Sequence, residues 1–193
     1  MNSNGGAKPT EPLPDEINLV EKAKSGDAEA FGHLYDACVD RVYRFIFFRV
    51  SDVPTAEDLT SQVFLKAWQN LGRYRPKGPI LAWLYAIARN TVIDHYRTYK
   101  QTVSLDEAAP LASKEDKLDE RVEFQSEMGS LQEAMKYLTE EQQEVLILKF
   151  IAEFETDQIA QKMGKTEGAI RALQMRALQA LAKVMKKDEK EEI

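Results

Sequence analysis

An all-α protein of two small helical domains joined by a flexible linker is the fold class this sequence predicts, on three observations. Apolar residues recur at helical spacing in every periodic stretch, and no stretch reads as a strand. The periodicity lapses over residues 101–118, QTVSLDEAAPLASKEDKL, which carry Pro110, mixed charges and no sustained apolar stripe. Charge sign also switches along the chain. From Arg41 to Lys100 basic residues face only Asp52, Glu57, Asp58 and Asp94; acids dominate from Asp106 to Glu141; from Lys165 to Lys187 the lone acid is Glu167. The net charge of -6 over 193 residues therefore conceals two basic modules and an acidic connector.

Taken in order, residues 1–15 are rich in Gly, Pro, Asn and Glu and read as a disordered tail that cannot build a core. Residues 16–100 form the first expected domain. Helical periodicity begins near Glu16, and Asp27 caps a second helix through Phe31, Leu34, Tyr35, Val42, Tyr43, Ile46 and Phe47. Pro54 sits where a third helix starts, since a first-turn residue needs no N–H partner; Leu59, Val63, Ala67 and Leu71 then share one face. Leu71 to Pro79, LGRYRPKGP, must be a loop, because two prolines and two glycines cannot sit inside a helix. A fourth helix from about Ile80 to Lys100 gathers Ile80, Leu84, Ile87, Thr91 and His95 on one side and Arg89, Asn90, Arg97 and Lys100 on the other.

After the linker, residues 119–187 form the second expected domain, with 188–193 as a tail. One helix runs through Phe124, Met128, Leu131, Met135 and Leu138, and another from Thr139 through Val145, Leu146 and Leu148. A short helix, a turn at Gly164 and a longer helix from near Thr166 follow, the layout of a helix-turn-helix.

Several functions are disfavoured at once. The single Cys38 allows no intrachain disulfide and no Cys-based zinc cluster, and His33 and His95 stand isolated, so neither metal nor cofactor is expected. Cys38 reads as a small buried hydrophobe and His95 as a core or boundary residue. Asp94-His95 is the one tempting pair for an enzyme, and it has no partner in the pattern. No apolar run reaches membrane-spanning length and the N-terminus lacks a signal-peptide layout, so a cytoplasmic location without membrane insertion is expected.

What remains is nucleic-acid chemistry. Residues 57–97 interleave aromatic and basic residues around one Gly/Pro loop, and rings can stack unpaired bases while Arg and Lys hold phosphates. In the last helix Ile170, Leu173, Ala177, Leu181 and Val184 face inward, which turns Arg171, Ala172, Met175, Arg176, Gln179 and Lys183 to solvent. Arg reads guanine bidentately in the major groove, and small or apolar groups meet thymine methyls. Lys165 and the helix N-terminal amides beside Thr166 suit phosphate.

The residues that carry this chemistry also carry a resemblance. EDLTSQVFLKAW, WLYAIARNTVIDHYR and EEQQEVLILKF through RALQAL resemble, in that order and spacing, the sigma-seventy family of sigma factors in its compact extracytoplasmic-function group. The resemblance covers about residues 27–100 and 125–183. It implies a promoter-specificity subunit without catalysis of its own that binds the clamp helices and flap of core RNA polymerase, with Asp58, Gln62 and Phe64 docking onto the clamp helices. It implies that Arg73, Tyr74, Arg75, Lys77, Arg89, Asn90 and Arg97 meet the displaced strand of the minus-ten element. Lys165, Thr166, Arg171, Ala172, Met175 and Arg176 would meet the minus-thirty-five element. An anti-sigma factor is the expected regulator. The linker geometry is compatible: about 18 residues at roughly 3.3 Å each span at most about 60 Å. At about 3.4 Å per step this is roughly seventeen base pairs. The competing expectation is a stand-alone helix-turn-helix regulator, which would bind duplex DNA tightly without polymerase.

Overall fold

Local capping sets most of the helix boundaries. The computed structural model describes residues 13–75, 78–103 and 121–191. Among these, eight α-helices are present: α1 Glu16–Lys24, α2 Ala28–Val50, α3 Val53–Asn70, α4 Ile80–Val103, α5 Arg121–Lys136, α6 Glu140–Leu146, α7 Thr156–Met163 and α8 Glu167–Glu191. No strand occurs among the described residues. The chain divides into two compact units, Met1–Leu111 and Ala112–Ile193.

In the first unit the Asp27 carboxylate accepts from the amides of Glu29 and Ala30 and starts α2. Helix α2 stops where Ser51 turns left-handed at φ 60°. Asp52 then accepts from the Thr55 amide at 2.8 Å, with Pro54 in the first turn of α3. These short polar side chains satisfy N–H groups that a helix start leaves without intrahelical partners. α2, α3 and α4 pack on one another and α1 packs on α2. The expected α3 stripe, Leu59, Val63, Ala67 and Leu71, is buried throughout. α2 packs on α3 and adds buried Leu34, Cys38, Val42, Phe45 and Ile46 to the core of this unit, and Phe45 lies 4.7 Å from the Tyr85 ring of α4. Fully burying one such side chain contributes about 1.5–3 kcal/mol. Of the expected α4 stripe Ile80, Leu84 and Thr91 are buried and Ile87 and His95 only half-buried, because the buried side also takes in Leu81, Tyr85, Ala88 and Val92 and is rotated toward them.

After α3, Leu71–Arg73 form a single 3-10 turn before the chain extends at Tyr74. α4 continues to Val103, three residues into the stretch read as a linker, and α8 runs to Glu191, into the stretch read as a tail. Of the expected disordered tail, residues 13–15 are described and ordered against the start of α1, where the Leu13 amide donates to the Glu16 carboxylate and Asp15 takes the N-cap position; residues 1–12, 104–118 and Lys77 of the loop lie outside the described residues.

In the second unit Thr139 and Gln142 form a reciprocal capping box at the start of α6. Gln143 donates to the carbonyls of Met135 and Leu138, closing the end of α5. α6 passes into a π-helical stretch, Ile147–Ile151, which the periodicity did not announce. α6 and α7 pack against α8, whose Ile170, Leu173 and Ala177 are buried. Gly164 ends α7 at φ 65°, a left-handed conformation glycine enters without steric cost. Among the described residues no helix is long and apolar enough to cross a membrane, and no three His, Cys, Asp or Glu are grouped to hold a metal.

Candidate nucleic-acid interface

Each unit presents its own polar face, built differently. In the second unit the face is the outer side of α8. Thr166 caps it, its hydroxyl accepting from the Ala169 amide at 3.2 Å, while the Lys165 amide donates to the Ala160 carbonyl and closes the turn. Burial of Ile170, Leu173 and Ala177 at helical spacing forces Arg171, Ala172, Met175 and Arg176 outward, and all four are exposed. Met175 keeps 57% of its surface in water. The cations are already engaged. Arg171 pairs with Glu167 one turn before it at 2.6 Å, and Lys165 pairs with Glu141 of α6 at 2.8 Å. The Arg176 side chain donates to the Ala172 carbonyl at 3.3 Å. These exposed pairs are weak and exchangeable, so they orient the cations more than they hold them back.

In the first unit, Arg89, Asn90 and Arg97 are exposed on α4, and Asn90 and Arg97, seven residues apart, point the same way. Arg97 sits 3.9 Å from Asp94. Two ties fix the helix beneath them. The Lys66 ammonium of α3 donates to the Thr91 hydroxyl at 3.0 Å, and the Tyr96 hydroxyl donates to the Arg49 carbonyl at the end of α2. Burial raises the Tyr96 phenol above its ordinary range. Arg73 and Arg75 are exposed on the loop.

Tyr74 is placed otherwise than its neighbours. Grouped in the sequence with rings free to meet a base, it is 6% exposed, lies 4.8 Å from the Trp83 ring and donates its hydroxyl to the Gly78 carbonyl at 2.8 Å. Burial first, and the Glu16 charge second, push its phenol up to about 12. The ring is a pillar of the loop rather than an exposed platform. Phe64 shows a similar displacement. It is 5% exposed, edge-on to Tyr35 at 4.6 Å, and the outer side of α3 belongs instead to Asp58, Gln62, Leu65 and Trp68. Asp58 accepts from Gln62 at 2.8 Å, and Leu65 and Trp68 are 57% and 38% exposed.

Comparison with known proteins matches both units in order. Residues 34–102 match the Sigma-70 region 2 family, and residues 128–181 match the Sigma-70, region 4 family. The chain is 39% identical over 175 residues to the ECF RNA polymerase sigma factor BldN of Streptomyces coelicolor, covering 89% of this chain and 66% of that protein. It is 31% identical over 170 residues to the ECF RNA polymerase sigma factor SigD of Mycobacterium tuberculosis, covering 84% of this chain and 80% of the relative. The chain belongs to the sigma-70 family, in its ECF group. Its fold is also that of CnrH, solved in complex with the cytosolic domain of CnrY, at a TM-score of 0.65 and 22% identity over 91% of this chain and 99% of that one.

Two features of this sigma-70 family member escaped the sequence reading. Leu65 was visible in principle, because it lies opposite the Leu59–Val63–Ala67 stripe, whereas Trp68 sits one turn after buried Phe64 and its partial exposure was not. Nor was Glu16. It is 6% exposed, and its carboxylate accepts from the Ile80 amide at the start of α4, a contact no local pattern announces.

Proposed function

We propose that the chain is a promoter-specificity subunit that binds core RNA polymerase, recognises a two-part promoter and promotes strand opening. The observation that carries this reading is the order of region 2 and region 4 matches on one chain, residues 34–102 then 128–181. Residues 16–100 serve polymerase and the minus-ten element, residues 101–118 connect, and residues 119–187 serve the minus-thirty-five element. The chain has no catalytic activity of its own and works in the cytoplasm. Arg171, Ala172, Met175 and Arg176 enter the major groove, supported by their common exposure on α8, while Lys165 and the amides capped by Thr166 meet phosphate. Asn90, Arg89, Arg97, Arg73, Arg75 and Lys77 hold the displaced strand, and Tyr74 serves by supporting the loop from within. Each captured base offsets unpairing by a stacking or polar contact, about 1–3 kcal/mol for stacking.

Polymerase docking falls to the outer side of α3, where Asp58 and Gln62 lie beside exposed Leu65 and Trp68 over the Phe64 pillar. The clamp helices fit that surface and the flap fits the second unit. In this reading an anti-sigma factor is the regulator. Run-off transcription with core polymerase on a pool of random promoters tests the whole reading. Enrichment of a two-part motif is the expected result. A chain that uses no promoter, fails to co-purify with its own organism's core and binds duplex DNA tightly alone is a stand-alone regulator instead.

A further inference from the structure

Helix α4 starts without a cap of its own. The residues before Ile80 are Gly78 and Pro79, and neither side chain can accept a hydrogen bond. Ile80 is 1% exposed, so its amide cannot turn to water. The acceptor arrives from 64 residues away: Glu16 Oε1 lies 2.9 Å from the Ile80 amide, and Oε2 accepts from the Leu13 amide at 2.9 Å. Glu16 is the first residue of α1, a helix that also packs on the Leu71–Arg73 turn. A carboxylate at a helix N-terminus also answers the partial positive charge there. The same stretch is tied from its other side by the Tyr74 hydroxyl, which donates to the Gly78 carbonyl.

We propose that Glu16 is a positioning residue for strand opening: its buried carboxylate, with the Tyr74 hydroxyl, holds the start of α4 and the chain at Gly78 in register with Arg73 and Arg75. This rests on the reading that the loop and the exposed face of α4 hold the displaced strand. A loosened junction spends binding energy on ordering the site, and opening suffers while duplex recognition and polymerase docking, which use other surfaces, do not.

The experiment uses the full chain with core polymerase and four variants: Glu16→Ala, Glu16→Gln, Tyr74→Phe and Asn90→Ala. Open complex is followed by permanganate reactivity of thymines, on a duplex promoter and on the same promoter with a pre-opened bubble. Core affinity and thermal melting of each variant are measured alongside. Glu16→Ala is expected to slow opening of the duplex about tenfold, the scale of one lost charge-assisted hydrogen bond. Glu16→Gln, which keeps one acceptor, falls between it and wild type. Tyr74→Phe, which keeps the ring packing, shifts opening in the same direction. All three regain activity on the bubble at unchanged core affinity.

Wild-type opening by Glu16→Ala and Tyr74→Phe beside an impaired Asn90→Ala overturns the role of Glu16 and leaves the reading of α4 intact. An Asn90→Ala variant that opens normally overturns that reading itself. A Glu16→Ala chain that melts early and loses core binding, with Tyr74→Phe opening normally, makes Glu16 a stability residue only and also overturns the proposal.

Discussion

Removing the Arg171 guanidinium gives the sharpest test of the α8 face. Arg171 pairs with Glu167 at 2.6 Å, with the two side chains 65% and 48% exposed. An exposed pair of this kind is worth about 0.2–1 kcal/mol and must be rearranged when the guanidinium turns to a base edge. A bidentate Arg–guanine contact discriminates by about 1–3 kcal/mol. The middle of each range, about 2 less about 0.6 kcal/mol, leaves Arg171→Ala about 1.4 kcal/mol weaker at one base pair of the upstream element, roughly tenfold. Glu167→Ala acts the other way, freeing the guanidinium and removing a charge that repels phosphate, for a gain of up to about 1 kcal/mol at low salt. In an Arg171→Ala background most of that gain disappears, because the pair no longer exists to be broken. The assay is competition binding of holoenzyme to promoters mutated one pair at a time, at two salt concentrations. If Arg171→Ala instead weakens every sequence equally and lowers the salt slope by about one, Arg171 is a phosphate contact and the base-reading argument is wrong.

Burial and then the Glu16 charge push the Cys38 thiol from 9.0 up to about 12, against a small opposing effect of Arg41. The unfolded chain therefore releases this proton first, and above about pH 9 the native state loses stability at up to about 1.4 kcal/mol per pH unit from this group. Tyr74, raised from 10.0 to about 12, adds to the loss at still higher pH. Denaturant titrations at pH 8, 9 and 10 should show a shallower decline in Cys38→Ala than in wild type, and parallel declines would contradict the assignment. Replacing Thr139 with Ala breaks the α6 capping box and should destabilise the second unit by about 1 kcal/mol, read as a lower denaturation midpoint at constant slope. Trp68→Ala should weaken core-polymerase affinity at least tenfold and lower the melting temperature by several degrees, since Trp68 keeps 38% of its surface exposed while its ring packs edge-on against Phe31 at 4.8 Å. A large fall in melting temperature with intact affinity would move Trp68 from interface to core.

How far each feature was legible depended on how local its cause is. The stripe Leu59, Val63, Ala67 and Leu71, the Asp27 cap, the Gly164 turn and the outward set Arg171, Ala172, Met175 and Arg176 all follow from spacing within one helix or turn. A helix of 3.6 residues per turn decides them before any partner is present. The approximate buried side of α4 was legible, but its rotation toward Leu81, Tyr85, Ala88 and Val92 depended on where α2 and α3 meet it.

The inward turn of Tyr74 and Phe64 was decided only in three dimensions. A tyrosine on a basic loop and a phenylalanine on a docking helix have the same local pattern whether exposed or buried, and only the Trp83 and Tyr35 rings beside them settle the matter. The ties Glu16–Ile80, Lys66–Thr91 and Tyr96–Arg49 join residues 64, 25 and 47 positions apart. By itself, then, the sequence determined the helices, their caps and the two chemically distinct basic modules, since those arise from neighbours along the chain. Tertiary structure alone decided which rings are pillars, which cations are engaged and what caps α4, because a buried donor takes whatever acceptor the packing brings to it, at any distance along the chain.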